Sequence, residues 1–66
     1  MQRKITRYEV HAVVETPLGY RTTRDDDEAS FFTLYGVLDN SEVVAIGDYE
    51  TRELGEKAKE LIESSR

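Results

Sequence analysis

The apolar residues of this chain keep a period of two until about residue 50 and take a helical period after it. That single switch restricts the fold to a sheet followed by one helix. A lone helix of this length is marginal in water, so its apolar stripe must dock on the sheet that precedes it.

The strand signals are local and specific. In residues 5–15, Tyr8, Val10, Ala12 and Val14 fall on one face and Arg7, Glu9, His11, Val13 and Glu15 on the other, which predicts a strand with one buried side. Thr16-Pro17-Leu18-Gly19 has Pro and Gly at the positions a type I turn prefers, so the chain should reverse into a hairpin there. Residues 20–24 then read as a short edge strand, thin in apolar content. The run Asp25-Asp26-Asp27-Glu28 is a surface loop, because burying it carries a large desolvation cost. Asp25 and Glu28 also have the spacing of a capping box, so residues 25–30 can hold a helical turn.

Residues 30–38 are apolar on both faces, with Phe31, Thr33, Tyr35 and Val37 on one and Phe32, Leu34 and Leu38 on the other, as a central strand requires. Gly36 inside it marks a bulge, or a place where another side chain lies over bare backbone. Asp39-Asn40-Ser41-Glu42 is a polar reversal, and Val43-Val44-Ala45-Ile46 resumes extended structure. Thr51 is the best helix N-cap, with Glu53 favourably placed in the first turn. Leu54, Ala58, Leu61 and Ile62 form the expected helical stripe. Gly55 costs about 1 kcal/mol relative to alanine in a helix, and its expected use is to let the helix lie close to the sheet. The expected fold class is α+β, a small antiparallel sheet of three or four strands packed against one C-terminal helix. The order is β-β-β-β-α, or β-β-β-α if residues 20–24 are only a loop.

At 66 residues the chain has room for one core, so residues 1–66 are expected to be a single domain. A core of that size typically leaves about 3 to 5 kcal/mol of net stability. Without cysteine there is no disulfide to add, and one histidine, His11, does not make a zinc site. Self-association as a homodimer, or a partner protein, is the readiest additional source. No run of about 18 apolar residues and no apolar leader block is present, so a cytoplasmic protein is expected, with no membrane partner.

The net charge of −5 disfavours nucleic acid and anionic lipid as partners. Its distribution is uneven. Residues 1–24 carry Arg3, Lys4, Arg7, Arg21 and Arg24 against Glu9 and Glu15, a net +3, and the remainder carries −8.

No catalytic or cofactor motif stands out. There is no cysteine, no Gly-x-Ser-x-Gly elbow, no EF-hand spacing and no Gly-rich phosphate loop, so neither enzyme activity nor a cofactor is expected. A strand histidine facing away from the core is an ordinary surface residue far more often than a general base.

Gly47-Asp48-Tyr49-Glu50-Thr51-Arg52-Glu53-Leu54 resembles the last-strand-into-helix segment of the three-stranded DNA-binding domains at the amino termini of tyrosine recombinases. In that family a glycine, an aromatic and a threonine cap precede a helix that buttresses a DNA-reading sheet. The resemblance therefore implies a basic sheet face. This chain departs from it, since Asp39, Glu42, Asp48 and Glu50 surround its last hairpin. Lys57 and Lys59 are similar to the helix lysines of double-stranded-RNA-binding domains, but the leading helix of that family is missing.

The surface offers the remaining signals. If the helix covers one sheet face, the other keeps Val13, aromatics drawn from Phe31, Phe32 and Tyr35, and with them Tyr20 or Tyr49. The first expectation is a non-enzymatic protein-interaction module, a small regulator or inhibitor of the phage or plasmid type. It would bind a partner through its open sheet face or edge, using Tyr20, Phe31, Tyr35 and Tyr49 with Asp25, Asp26 and Asp27. The alternatives are a nucleic-acid accessory domain using Arg3, Lys4, Arg7, Arg21 and Arg24 as one patch, and an acidic nucleic-acid mimic built from residues 25–28 and the helix glutamates. The bland reading is that the aromatics fill a small core from both sides.

Overall fold

The computed structural model describes residues 4–65. Strands β1 (Ile5–Thr16), β2 (Gly19–Thr23), β3 (Phe31–Leu38) and β4 (Val43–Tyr49) precede one helix, α1 (Arg52–Ser64). They form an antiparallel sheet in the order β2-β1-β3-β4. The fold is therefore β-β-β-β-α, and the thin segment after the first turn is a true edge strand. It pairs with β1 from Thr16 opposite Gly19 to Ala12 opposite Thr23.

Both hairpins depend on a residue with positive φ. Gly19, at +118°, closes the first, where the Thr16 hydroxyl donates to the Gly19 carbonyl at 2.7 Å. In the second hairpin the left-handed residue is Ser41, at φ 73°, and the Asn40 side chain beside it bonds the Glu42 amide and carboxylate. Residues 26–28 form a 3-10 turn. Asp25 caps it, accepting from the Asp27 amide at 2.9 Å.

The registers define two faces. Tyr8, Val10, Ala12 and Val14 share one with Phe32, Leu34, Gly36, Val44, Gly47 and Tyr49, and the helix packs on this side, mainly over β3 and β1. Thr51 caps the helix as expected, its hydroxyl accepting from the Leu54 amide at 3.1 Å. Gly55 is the one buried residue of α1, and a Cβ there would lie 3.0 Å from Val10 Cγ1. Gly36 takes the second of its two expected roles. The Ile5 side chain lies over it, with Cδ1 2.9 Å from where a Cβ would be. The register shifts fall elsewhere, between Ile5 and Arg7 in β1 and at Ile46, the extra residue of β4.

The expected helix stripe holds at Ala58 and Ile62 and needs correction at Leu54 and Leu61. Leu54 is 49 % and Leu61 63 % exposed, while Gly55, Ala58, Lys59 and Ile62 turn toward the sheet. Close approach is possible only where the side chain is absent, so Gly55 sets the helix rotation and carries the two leucines out onto one flank. The core that results is small. Among the described residues, Ala12, Val13, Phe32, Leu34 and Val37 are its buried apolar residues, and Leu34 alone is a large side chain with no exposed surface.

Candidate interaction face

The sheet face opposite the helix is built from alternate residues of all four strands. β1 contributes Arg7, Glu9, His11, Val13 and Glu15, β2 contributes Tyr20 and Thr22, β3 contributes Phe31, Thr33, Tyr35 and Val37, and β4 contributes Val43, Ala45 and Asp48. Strand alternation alone puts these side chains on one side of the pleat.

Two aromatic pairs organise the face. Tyr20 meets Phe31 edge-on, with ring centroids 5.5 Å apart at 70°, and His11 meets Tyr35 at 5.4 Å and 72°. Both geometries are the T-shaped arrangement that the ring quadrupole favours. Between them lies a shallow depression lined by Val13, Thr33, Ala45 and Asp48. In its floor Val13 and Thr33 are almost fully buried although no element covers them.

Polar contacts hold the rim. The Thr33 hydroxyl donates to Asp48 Oδ1 at 2.7 Å. Glu9 accepts from His11 Nε2 at 2.9 Å and from Arg7 Nε at 2.8 Å. Those hydrogen bonds, that from His11 first and that from Arg7 second, hold the Glu9 carboxyl below its ordinary value. Arg7 against Glu9, Glu15 and Asp48 leaves the face at a net −2 with His11 neutral. Asp48 has no cationic partner among the described residues.

The structure gathers part of the expected site and disperses the rest. Tyr20, Phe31 and Tyr35 do come together. Tyr49 does not belong with them, since it pairs with Phe32 on the helix side and lies near Gly55. Phe32 is likewise turned to that side, beneath the Arg52 guanidinium, whose carbon is 5.4 Å from the ring centre. Asp26 is held to the helix by a two-point ion pair from Arg52, and Asp25 and Asp27 are the cap and a member of the same 3-10 turn, apart from the aromatic pairs.

The basic patch does not assemble. Arg3 lies outside the described residues. Arg7 is on the open face bound to Glu9, whereas Arg21 pairs with Val14 on the opposite face, seven positions along β1 or roughly 23 Å away at strand rise. Lys4 precedes β1 and Arg24 follows β2, near opposite ends of the sheet. The acidic run fares little better as a continuous surface, because Arg52 binds both Asp26 and Glu56 and puts a cation in its middle.

The His11–Tyr35 contact and the Thr33–Asp48 bond had no separate signal in the sequence. Both require the β1–β3–β4 register, which alternation alone does not specify. Among the described residues no group of three or more His, Asp or Glu side chains is placed to hold a metal ion, and no helix is long and apolar enough to cross a membrane. No family model, no curated protein and no solved structure matches the chain.

Proposed function

We propose that this chain is a non-enzymatic interaction module that takes a basic segment of another protein on the open face of its sheet. The observation that carries the reading is the pairing of Tyr20 with Phe31 and of His11 with Tyr35 on the side the helix leaves uncovered. Aromatic rings standing around a buried floor offer contact area at little entropic cost, and their faces attract guanidinium and ammonium groups. Asp48, whose carboxylate is held in place by Thr33, and Glu15 supply opposite charge at the rim. The chain as a whole, at −5, would steer a basic partner toward itself. A small regulator or inhibitor that occupies a basic surface of its target fits this chemistry. The dispersal of Lys4, Arg7, Arg21 and Arg24 argues against phosphate as the ligand.

The test is a chemical-shift titration of the isotope-labelled protein at low salt, with an arginine- and lysine-rich peptide and, in parallel, a glutamate-rich one. The basic peptide should move the amides of Val13, Tyr20, Phe31, Thr33, Tyr35 and Ala45, and the response should fade with added salt. Tyr20→Ala with Tyr35→Ala should weaken it. Equal response to both peptides, or a response confined to the helix, would sink the reading. A mobility shift with duplex DNA at low salt that fades steeply with added salt would replace it with the nucleic-acid alternative.

A further inference from the structure

Thr33 stands at the centre of the open face. Its cross-strand partners are His11 on β1 and Asp48 on β4, and its neighbours along β3 on the same face are Phe31 and Tyr35. At strand spacings the Asp48 Cα is about 5 Å away and each aromatic Cα about 7 Å away. A group seated over Thr33 is therefore within reach of a carboxylate and two rings at once. The irregularity in β4 keeps the seat open. Strict alternation from Asp48 would set Ile46 opposite Tyr35, but the register shift makes Ile46 the extra residue and puts the small Ala45 there instead. The depression that results holds about 350 Å³, at the low end of the sizes found for ligand sites.

The chemistry of the seat selects a cation. Asp48 Oδ1 accepts from the Thr33 hydroxyl at 2.7 Å, and Thr33 is only 3 % exposed, so a fixed donor orients the carboxylate. Among the described residues Asp48 has no second side-chain hydrogen bond and no ion pair, and its side chain is exposed. Arg7, on the same face, is committed to Glu9 at 2.8 Å. An unpaired carboxylate between aromatic rings repels anions and suits an ammonium or a guanidinium. The fixed orientation decides between those two. An ammonium is a point charge whose donors rotate to meet a carboxylate in any pose, whereas the rigid planar fork of a guanidinium gains from a carboxylate whose plane is already set. The guanidinium also stacks on aromatic faces, which a shallow, open seat walled by Phe31 and Tyr35 allows.

We infer that the depression over Thr33 is a seat for one arginine side chain of the partner, and that it takes arginine in preference to lysine. Asp48 receives the guanidinium fork, the rings of Phe31 and Tyr35 flank it, and Thr33 is the positioning residue that fixes Asp48. This rests on the reading of the open face as a site for a basic segment, and it names the side chain that the face selects.

Two peptides of equal length and charge, one with arginine and the other with lysine at every basic position, are titrated into the isotope-labelled protein at low salt. The arginine peptide should bind with a Kd roughly tenfold lower, and its largest shifts should fall on the amides of Thr33, Tyr35 and Asp48. Asp48→Asn leaves an oxygen for the Thr33 hydroxyl but removes the charge, and it should cost the arginine peptide roughly tenfold and abolish its advantage over lysine. A third peptide, with dimethylated arginines, keeps the charge but blocks the fork. It should bind the wild-type protein no better than the lysine peptide, and it decides the matter if Asp48→Asn fails to fold. Equal affinity for arginine and lysine overturns the seat, as does an arginine preference that survives either the variant or the methylation, and both results leave the face standing as a site for basic segments. No response of the face to either unmodified peptide removes the proposed function and the seat with it.

Discussion

Arg52 and Asp26, twenty-six positions apart, form a two-point ion pair, with Nε–Oδ2 at 2.6 Å and Nη2–Oδ1 at 3.0 Å. The same guanidinium donates to the Val10 carbonyl at 3.2 Å and to Glu56 at 3.4 Å, and it lies over the Phe32 ring. One side chain thus joins the helix start, the 3-10 turn and two strands. Arg52→Lys keeps the charge but loses the planar fork and the spread of contacts, and the expected loss is about 1 kcal/mol, modest because the pair is partly exposed. Urea denaturation should show a lower midpoint with an unchanged slope.

The same pair makes a pH prediction. Hydrogen bonding from Arg52 holds the Asp26 carboxyl below its ordinary value of 3.8. A depressed folded value means that stabilisation is fully present above the unfolded value and is lost as pH falls through the folded one. Glu9, lowered by His11 and then Arg7, acts in the same direction. Stability should therefore fall in acid below the ordinary carboxylate range. Denaturation midpoints of wild type and Asp26→Asn should converge as pH drops below about 3.8. A constant gap between them would show that the ion pair contributes nothing.

Gly55 and Val10 are predicted to be coupled. Gly55→Ala gains up to about 1 kcal/mol of helix preference but places a methyl 3.0 Å from Val10 Cγ1. In a packed interface the crowding should win, leaving a net loss of about 1 kcal/mol. In a Val10→Ala background the same substitution should become stabilising. A double-mutant cycle by thermal denaturation reads that change of sign.

Ser41 holds a left-handed conformation, φ 73°, that costs an ordinary residue roughly 1 kcal/mol. Ser41→Asn should raise stability by about 0.5 kcal/mol, since asparagine tolerates that region, and Ser41→Val should lower it by about 1 kcal/mol or more. Melting temperatures of the two variants should bracket the wild type.

What the chain determines locally is which side chains share a face of each strand and where the helix begins. Alternation is a property of neighbouring residues, so Val10 with Ala12 and Phe31 with Tyr35 could be grouped without knowing any partner strand. The Thr51 cap, the Gly19 turn and the polar reversal at residues 39–42 are equally local, each resting on the conformational preference of a few adjacent residues.

Long-range packing decided the rest. Of the helix stripe that composition favours, Ala58 and Ile62 turn to the sheet as expected, but Leu54 and Leu61 give way to Gly55 and Lys59, because helix rotation is set by the closest approach of backbone to Val10 and not by apolarity. Pairing across strands brought His11 to Tyr35 and Tyr20 to Phe31, and turned Tyr49 to the helix side. The Arg52–Asp26 pair, the dispersal of the described basic residues and the exposure of Leu54 and Leu61 all follow from strand order and helix rotation. Those depend on contacts between segments far apart in the chain, where a short-range pattern carries no information.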